Sequence, residues 1–375
     1  MGSGFGFVYF LGGEKGNFTR IFTAFYETPT NYVQENIRWV NPIADLLIPQ
    51  RATLFGWAIL FACLYLLYRM AFEGKGGKEE GKSGLVYPIM LGVLGGCLPL
   101  VHTHSFLALG LISAVLLVRA FLHGSWNGVR PFLIYGCTAV ALAAPQLLLF
   151  TFRQSSGSGF LRLGWNWAND GDNYFWFYIK NIGLPYLLAL PAFLHADRDS
   201  KWFFGGGLLI LALCEVILFQ PNPYDNNKLL YITYLLLCGL VANYLVYLWD
   251  RLRGMRGRAV LAALTLFVCL FGGVLTLGRE AVSDYELFNA AEVRAAAFIQ
   301  ENTAPPSRFL TADNHNNTVA ALTGRNILCG TSSYLYYHGL DYSGYAAAQQ
   351  ELFEHPTAQG LAQWGIDYVY LSGYE

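Results

Sequence analysis

The sequence predicts an all-α membrane protein of about eight transmembrane helices with a small extracytoplasmic C-terminal α/β domain. Three observations lead to this fold class: eight apolar stretches, an alternating Lys and Arg content of the loops, and a composition that is 54% apolar and 13% charged. A helix needs roughly 20 apolar residues to cross the hydrocarbon core. The eight stretches are Ala52–Tyr68, Leu85–Val101, Ser105–Leu122, Pro131–Phe152, Tyr174–Leu194, Trp202–Phe219, Lys228–Trp249 and Ala259–Leu277.

The second and third stretches are separated by His102, Thr103 and His104 only. A single continuous helix over residues 85–122 would be about 57 Å long at 1.5 Å per residue, far longer than the hydrocarbon core is thick. We therefore expect a tight hairpin here, with both histidines at its turn.

Positive charge is concentrated in every second loop. These loops carry twelve Lys and Arg residues, whereas the others carry Arg153, Arg162 and Lys228. Because basic short loops stay in the cytoplasm, the remaining loops and the C-terminal tail are expected to face outward from the plasma membrane, with the lipid bilayer as partner. The twelve are Arg69, Lys75, Lys78, Lys82, Arg119, Arg130, Arg198, Lys201, Arg251, Arg253, Arg256 and Arg258.

Three regions follow from this topology: an outward-facing segment at 1–51, a polytopic transmembrane domain at 52–278 and an extracytoplasmic α/β domain at 279–375. Residue 1 then lies outside without a preceding span, because Gly4–Gly12 is apolar but too short to cross. Either this segment re-enters the membrane or the chain is the C-terminal part of a longer protein. The second interpretation is preferred.

The tail alternates strand and helix patterns, which favours a small parallel sheet. An amphipathic helix is expected at Tyr285–Gln300, before two prolines. Strands are expected at Arg308–Thr311, Asn326–Cys329 and Asp367–Leu371, a helical turn at Thr318–Leu322, and helices at Ala346–Phe353 and Ala358–Trp364.

Composition also excludes some classes of function. The net charge is −1, and no basic patch is interleaved with aromatic residues, so nothing indicates a nucleic-acid partner. The seven cysteines are scattered and predict neither a disulfide framework nor a zinc site. The Gly, Lys and Glu residues of Glu73–Gly84 are typical of a flexible linker.

Two charged residues, Lys180 and Glu215, lie well inside apolar stretches at similar depth. Intramembrane ionisable residues are costly and usually have a partner, so an ion pair between them is expected. Lys180 is also a candidate for contact with a lipid phosphate. Alternatively, its ammonium snorkels outward, or the pair only holds two helices together.

The histidines of the expected hairpin, His102 and His104, are candidate catalytic residues. Both could face an aqueous cavity, where an imidazole suits acid–base chemistry or phosphate contact. The alternative is that they are ordinary turn residues at the membrane interface.

The densest polar stretch runs from Trp165 to Asn173 and contains Asp170 and Asp172. Two carboxylates around a glycine offer hard oxygen ligands for a divalent cation such as Mg²⁺ or Mn²⁺ beside phosphates. Both aspartates are therefore candidates for catalysis and for metal binding. A solvated loop is the alternative, and its two indoles either stack on a sugar or lie in the aromatic belt.

A second polar stretch, at 222–228, opens the seventh span. Asp225 and Lys228 are expected to pair across one turn, and Asn226 to cap the helix. Asp225 is a further catalytic candidate, and Lys228 a candidate for binding phosphate at the mouth of a cavity.

In the tail, Asp313 and His315 follow a predicted strand, and Arg325 follows the next helical turn. Ligands commonly bind where a strand ends and a helix begins in α/β units. These three residues are therefore candidates for a ligand-binding loop. Turn chemistry is the alternative, since Asn and Asp are abundant in turns.

Several short motifs occur in this layout. They are Arg38-Trp39-Val40-Asn41-Pro42 with Pro49-Gln50-Arg51, Lys180-Asn181-Ile182-Gly183-Leu184, Asp225-Asn226-Asn227-Lys228, Thr323-Gly324-Arg325 and Gly365-Ile366-Asp367-Tyr368-Val369-Tyr370. With its multi-span domain, outward functional loops and α/β tail, the chain resembles the GT-C superfamily of membrane glycosyltransferases, in particular large bacterial proteins of that type.

The resemblance implies transfer of a sugar from a polyprenyl-phosphate donor to an extracytoplasmic acceptor, with Arg38, Arg51 and Lys180 holding the donor phosphate. Such enzymes place an essential acidic residue on the first large outward loop. The chain departs from this pattern, because none of its N-terminal acidic residues follows a first span. These residues are Glu14, Glu27, Glu35 and Asp45.

Two other classes of function stay open from the sequence. One is a transporter or flippase for a lipid-linked substrate, although no inverted repeat of broken helices is evident. The other is a non-catalytic membrane assembly protein, such as a degenerate relative of an enzyme.

Overall fold

The computed structural model describes residues 4–13, 17–24, 27–73, 83–123, 126–152 and 161–373. These residues form two compact units, one up to 151 and from 161 to 283, the other mainly from 284 onward. Most of the expected flexible linker lies outside the described residues. So do Glu14, Lys75, Lys78, Lys82 and Arg153.

The first unit is almost entirely helical. Its helices are α1 (Gly6–Gly12), α2 (Arg20–Thr23), α3 (Arg51–Tyr68), α4 (Ser83–Gly96), α5 (Leu98–Val101), α6 (Thr103–Leu122), α7 (Trp126–Gln146), α8 (Tyr174–Ile182), α9 (Leu184–Leu187), α10 (Ala189–His195), α11 (Arg198–Val216), α12 (Asn227–Arg251) and α13 (Arg258–Ala281). Two short strands, β1 (Arg162–Leu163) and β2 (Ile217–Leu218), pair antiparallel.

Five helical segments among the described residues are long and apolar enough to cross a membrane. This supports a multi-pass helical membrane protein, while the number of eight spans stays a prediction. The five segments are Arg51–Glu73, Thr103–Leu122, Trp126–Thr151, Pro223–Arg251 and Arg258–Ala281.

One expected span, Tyr174–Leu194, is instead divided into the three short helices α8, α9 and α10. The first break falls at Gly183, whose φ of +73° is a conformation that favours glycine. Pro185 then stands at the start of α9, where its missing N–H removes no helical hydrogen bond. Local backbone chemistry thus overrides the continuous apolar pattern.

The helix also breaks at the expected hairpin. Between α5 and α6, His102 has an extended backbone with φ −160° and ψ 96°. Before this break, α4 packs closely on α7. A Cβ added at Gly92 would lie 2.5 Å from the Cβ of Thr138, and one added at Gly96 would lie 2.9 Å from the carbonyl oxygen of Ala139. Small residues four apart allow such close helix packing.

The N-terminal segment is part of the first unit's core. Trp39 is 2% exposed and packs edge-on or tilted against Tyr178, Tyr231 and Tyr234. The hydroxyl of Tyr231 donates a hydrogen bond to the carbonyl of Val40. These contacts fix the backbone that leads into α3.

The second unit contains a three-stranded parallel sheet of β3 (Arg308–Leu310), β4 (Asn326–Ile327) and β5 (Tyr368–Val369), in the order β4-β3-β5. Its helices are α14 (Ala290–Asn302), α15 (Ser332–Tyr337), α16 (Ser343–Glu354) and α17 (Ala358–Gln363). A π-helical turn covers Val319–Thr323.

Helix α14 begins five residues later than expected. A capping box explains the difference: the side chain of Asn289 accepts hydrogen bonds from the backbone of Ala291 and Glu292, and the Glu292 carboxylate accepts one from the Asn289 N–H. This motif sets a helix start more strongly than amphipathicity does. The side of the membrane on which this unit lies stays a prediction.

Candidate functional site

The structure brings distant polar residues of the first unit together in one group, the Arg38 cluster. Arg38 reaches it because Asn36 adopts a left-handed conformation, with φ 54°, and Tyr32 and Ile37 pair across the resulting turn. The members of the cluster are Asn36, Arg38, Asn169, Asp170, Asp172, Lys180, Asn181 and Tyr224.

The guanidinium group of Arg38 makes three side-chain contacts. Its Nη2 lies 3.4 Å from Oδ2 of Asp170, its Nε donates to Oδ1 of Asn36 at 3.1 Å, and its Nη1 lies 3.5 Å from the Tyr224 hydroxyl. The side chain of Arg38 is largely buried, whereas that of Asp170 is 81% exposed. Asp170 is therefore a carboxylate open to solvent and held from one side by a cation.

The ammonium of Lys180 forms an ion pair with Asp172, and the side chain of Lys180 is only 5% exposed. Oδ2 of the same aspartate also accepts a hydrogen bond from Nδ2 of Asn36, at 2.9 Å. The aromatic ring of Tyr9 lies 5.3 Å from the ammonium. Asp172 thus neutralises a nearly buried cation.

The expected ion pair between Lys180 and Glu215 is wrong. The Glu215 carboxylate accepts a hydrogen bond from the hydroxyl of Tyr178 instead. Tyr178 and Lys180 are two residues apart on α8, and therefore about 200° apart around the helix axis. Glu215 meets one face of α8, while Lys180 lies on the other.

Sequence reasoning missed Asn181 and Asn36 as site residues. Oδ1 of Asn181 accepts hydrogen bonds from the backbone N–H groups of Arg38, at 2.7 Å, and Trp39, at 3.1 Å. Its Nδ2 donates to the carbonyl of Asn36 at 3.1 Å. An amide inside an apolar stretch needs partners, because a buried polar group without them is costly. That requirement was the available signal.

An apolar cavity of about 300 Å³ is lined in part by residues next in the chain to members of the Arg38 cluster, although no member of the cluster lines it. Trp39 follows Arg38 in the chain and lines this cavity, and α8 contributes Tyr178 and Ile182 to it on either side of Lys180 and Asn181. The indole Nε1 of Trp39 is buried and has no hydrogen-bond partner among the described residues. The other lining residues are Tyr174, Tyr186, Ala189, Leu190, Phe193, Phe204, Leu208, Leu211, Leu230, Thr233, Tyr234 and Leu237.

The two histidines lie in a separate group and are buried rather than facing an aqueous cavity. Nδ1 of His102 lies 2.8 Å from the Ser105 hydroxyl and its Nε2 lies 3.5 Å from that of Thr53. The His104 ring lies 5.3 Å from that of His102. A Cβ added at Gly56 would lie 2.3 Å from the Cβ of His102, so α3 packs directly on this turn and excludes water.

Asp225 and Lys228 form the expected ion pair, with 2.9 Å between Oδ1 and Nζ. Asn226 occupies the N-cap position of α12 as expected, but its side chain makes no capping hydrogen bond. Its Oδ1 accepts from the Phe219 N–H, and its Nδ2 donates to the carbonyl of Ile217 at 2.8 Å. The amide is therefore used to hold the preceding loop, which explains why it is unavailable as a cap.

The four phosphate-binding candidates are consequently not one group. Arg38 and Lys180 belong to the Arg38 cluster, whereas Lys228 is paired with Asp225. Arg51 is exposed at the first residue of α3 and forms no ion pair among the described residues. None of the four cations lines the apolar cavity itself; Arg38 directly precedes the lining residue Trp39, and Lys180 and Lys228 lie two positions from the lining residues Ile182 and Leu230.

The geometry favours charge pairing over metal binding at Asp170 and Asp172. The Asp172 carboxylate faces an ammonium and an amide N–H, which occupy the positions that a cation would need. Within the described parts of the chain, no group of three or more His, Cys, Asp or Glu residues is arranged to hold a metal ion.

Two of the N-terminal acidic residues also have partners outside the Arg38 cluster. Glu27 is ion-paired with Arg20, and Oδ2 of Asp45 accepts a hydrogen bond from the Asn41 N–H at 2.8 Å. Neither supplies a free carboxylate to the cluster; of the two aspartates that belong to the cluster, Asp170 is the exposed one.

In the second unit, Asp313 and His315 both contact the start of α15. Asp313 accepts hydrogen bonds from the backbone N–H and the hydroxyl of Ser332, and Nε2 of His315 lies 2.7 Å from the Tyr334 hydroxyl. Arg325 has different partners. It donates to the carbonyls of Gln300, at 3.1 Å, and Thr303, at 2.8 Å. Arg325 therefore caps the end of α14 and shares no partner with Asp313 or His315 among the described residues, while its role in a ligand-binding loop stays a prediction.

Comparison of the chain with protein-family models, with curated proteins and with solved structures finds no match. The resemblance to GT-C glycosyltransferases therefore stays a prediction from short motifs. The geometry of the Arg38 cluster and its cavity is the basis on which a function is proposed.

Proposed function

We propose that this protein is a membrane glycosyltransferase of the GT-C type, which transfers a sugar from a polyprenyl-phosphate donor to an extracytoplasmic acceptor. One observation carries the proposal: Trp39, which lines an aromatic apolar cavity, directly follows Arg38, and the Arg38 cluster contains a second cation, Lys180. A donor of this class has two matching parts: an anionic phosphate, which suits the cations, and an isoprenoid chain, which suits the apolar cavity.

The cavity suits the apolar part of such a donor. Its volume of about 300 Å³ accommodates the part of the chain nearest the phosphate, while the remainder of the chain lies in the bilayer. Burial of apolar surface supplies about 25 cal/mol per Å², and the aromatic rings of Trp39, Tyr178 and Tyr234 offer flat contact surfaces.

Both cations are balanced by carboxylates in the present structure, Arg38 by Asp170 and Lys180 by Asp172. Binding of a donor phosphate to Arg38 would replace Asp170, whose single contact at 3.4 Å is the weaker of the two. Asp170 would then be released as a free carboxylate beside the phosphate. Donor binding and preparation of the base are coupled in this way.

Asp170 then acts as general base. It takes the proton of the acceptor hydroxyl while the acceptor oxygen attacks the anomeric carbon of the sugar. The bond between that carbon and the phosphate oxygen breaks, and its electron pair leaves with polyprenyl phosphate. Arg38 and Lys180 stabilise the negative charge on the leaving group.

A transporter or flippase for the same lipid-linked substrate is the second candidate function. The observation in its favour is the broken α8–α9–α10 segment at Gly183, since discontinuous helices commonly form transporter binding sites. The cavity and the Arg38 cluster would bind the same ligand in both cases. The two functions differ in whether the sugar is transferred.

Transfer can be measured in membranes that contain the full chain and a radiolabelled polyprenyl-phosphate sugar. Asp170→Asn is expected to abolish sugar transfer but to retain donor binding, and Lys180→Gln to weaken donor binding. Asp250→Asn is the matched control, since that aspartate is paired with Arg253 at the far end of α12. Absence of transfer by the unaltered protein, with movement of the lipid between leaflets, would replace the proposal by the second function.

A further inference from the structure

A second cavity lies at the other end of α12, away from the Arg38 cluster. It is an open apolar groove of about 510 Å³ between α12 and α13, next to the turn that joins them. Its lining residues are Ala242, Leu245, Val246, Leu248, Trp249, Leu252, Arg258, Leu261, Ala262, Thr265 and Leu266.

The wall that α13 contributes is not covered by other described residues. Leu261 and Leu266, which line the groove, are exposed by 48% and 53%, whereas the buried residues of α13 all lie in its second half, from Gly272 onward. The first half of a span-length apolar helix thus presents its side chains to the membrane.

The mouth of the groove is basic. Four arginines occur within eight residues, and the nearby Asp250 pairs with one of them, Arg253, at 2.7 Å. The Arg258 guanidinium stacks on the ring of Trp249 at 4.2 Å and donates to its carbonyl at 3.3 Å. These contacts hold a cation at the edge of the groove. The four are Arg251, Arg253, Arg256 and Arg258.

We propose that this groove is a binding site for an anionic phospholipid. An acyl chain lies along the leucines of α12 and α13, and the phosphate is bound by Arg258 and Arg256. Charge decides between the candidate occupants, because a neutral lipid or an apolar helix gains nothing from arginines at the mouth. A lipid phosphate gains about 1 kcal/mol from each nearby Lys or Arg. The proposal is independent of the proposed sugar transfer.

The purified full chain can be tested by native mass spectrometry with phosphatidylglycerol and phosphatidylcholine of identical acyl chains. Phosphatidylglycerol is expected to bind about tenfold more tightly. The variant R256Q/R258Q should lose this preference, whereas R130Q/R198Q, which removes two exposed cations elsewhere, should keep it. Equal binding of the two lipids, or an unchanged preference in R256Q/R258Q, would overturn the proposal.

A second variant tests the groove while keeping every arginine. Ala262→Trp places an indole in the groove and should abolish retention of phosphatidylglycerol, with an unaltered melting temperature in phosphatidylcholine showing that the chain is folded. Retention of the lipid by this variant would contradict a site in the groove. Displacement of the lipid by inorganic phosphate alone, or occupation of the face by a second copy of the chain, would also refute it.

Discussion

Lys180 and Asp172 are ion-paired between α8 and the loop that precedes it, and the lysine side chain is almost completely buried. The pair joins two residues that are close in sequence, and Asn36 binds the same carboxylate from the N-terminal segment. A buried cation with one carboxylate partner depends strongly on that partner. Loss of this pair should therefore lower the stability of the first unit as well as disturb the Arg38 cluster.

Substitution of Asp172 by Asn should be strongly destabilising, because it leaves the Lys180 ammonium buried without a counter-charge. Removal of one partner of a buried pair typically costs about 3–5 kcal/mol. The double variant Lys180→Met with Asp172→Asn should recover part of this loss. Thermal unfolding of the unaltered protein, the two single variants and the double variant in a neutral detergent gives the coupling free energy between the two positions.

Glu215 provides the matched control for this cycle. Because Glu215 binds Tyr178 and not Lys180, Glu215→Gln and Lys180→Met should show little coupling, within about 0.5 kcal/mol of additivity. A coupling of the size found with Asp172 would restore the ion pair predicted from the sequence and contradict the arrangement described above.

Gly183 gives a second prediction. A Cβ added there would lie 2.5 Å from the Cα of Gly4, and its φ is +73°. Gly183→Ala should therefore destabilise the unit through both backbone strain and a clash with the N-terminal segment, by about 2 kcal/mol or more. The change in melting temperature measures the effect.

Gly171 separates the two causes. Its φ is +87°, yet a Cβ there would meet no atom within 4 Å. Gly171→Ala should lower the free energy of unfolding through backbone strain alone, by about 1 kcal/mol. Equal losses of stability in the two variants would show that the N-terminal segment does not pack against Gly183 in the membrane.

What the sequence could predict depends on how local the interaction is. The pair of Asp225 and Lys228 follows from residues three apart on one helical turn. By contrast, Asn181 binds backbone groups of Arg38 and Trp39 that lie more than 140 residues away in the chain, and no local pattern specifies that contact. Depth in the membrane alone could not choose between Asp172 and Glu215 as the partner of Lys180, because the choice depends on the faces of α8.

The break at Gly183 is an intermediate case. A glycine followed closely by Pro185 is a readable signal for the end of a helix, but the apolar run on both sides favours a continuous span. The structure follows the backbone signal. Hydropathy identifies segments that avoid water, whereas dihedral preferences decide where a helix within them ends.

Arg325 yields a prediction that distinguishes structure from function in the second unit. Its guanidinium group binds the last carbonyls of α14. Arg325→Gln should therefore lower the free energy of unfolding by about 1–3 kcal/mol, and the melting temperature should fall with it. The variant should leave sugar transfer per folded molecule unchanged. Loss of transfer at normal stability would place Arg325 among the ligand-binding residues.

Asp45 predicts a pH dependence of stability. It lies in the π-helical turn Pro42–Leu47 before α3, where burial, opposed by the hydrogen bond from the Asn41 N–H and reinforced by Glu280, raises the pKa of its carboxyl to about 6. In the unfolded chain this pKa is near its ordinary value of about 3.8. Between these two values the folded protein binds more protons, so its stability falls as pH rises and then stays lower above pH 6.

Asp45→Asn should remove this dependence, because the amide oxygen can still accept the hydrogen bond from Asn41 and no charge forms. The variant should match the unaltered protein near pH 4 and melt at a higher temperature above pH 6. Asp341→Asn is the control, since hydrogen bonds from Ser343 lower the pKa of Asp341 and the effect on stability has the opposite sign. If the melting temperatures of D45N and the unaltered protein differ by the same amount at every pH from 4 to 7, the Asp45 carboxyl is not shielded from water.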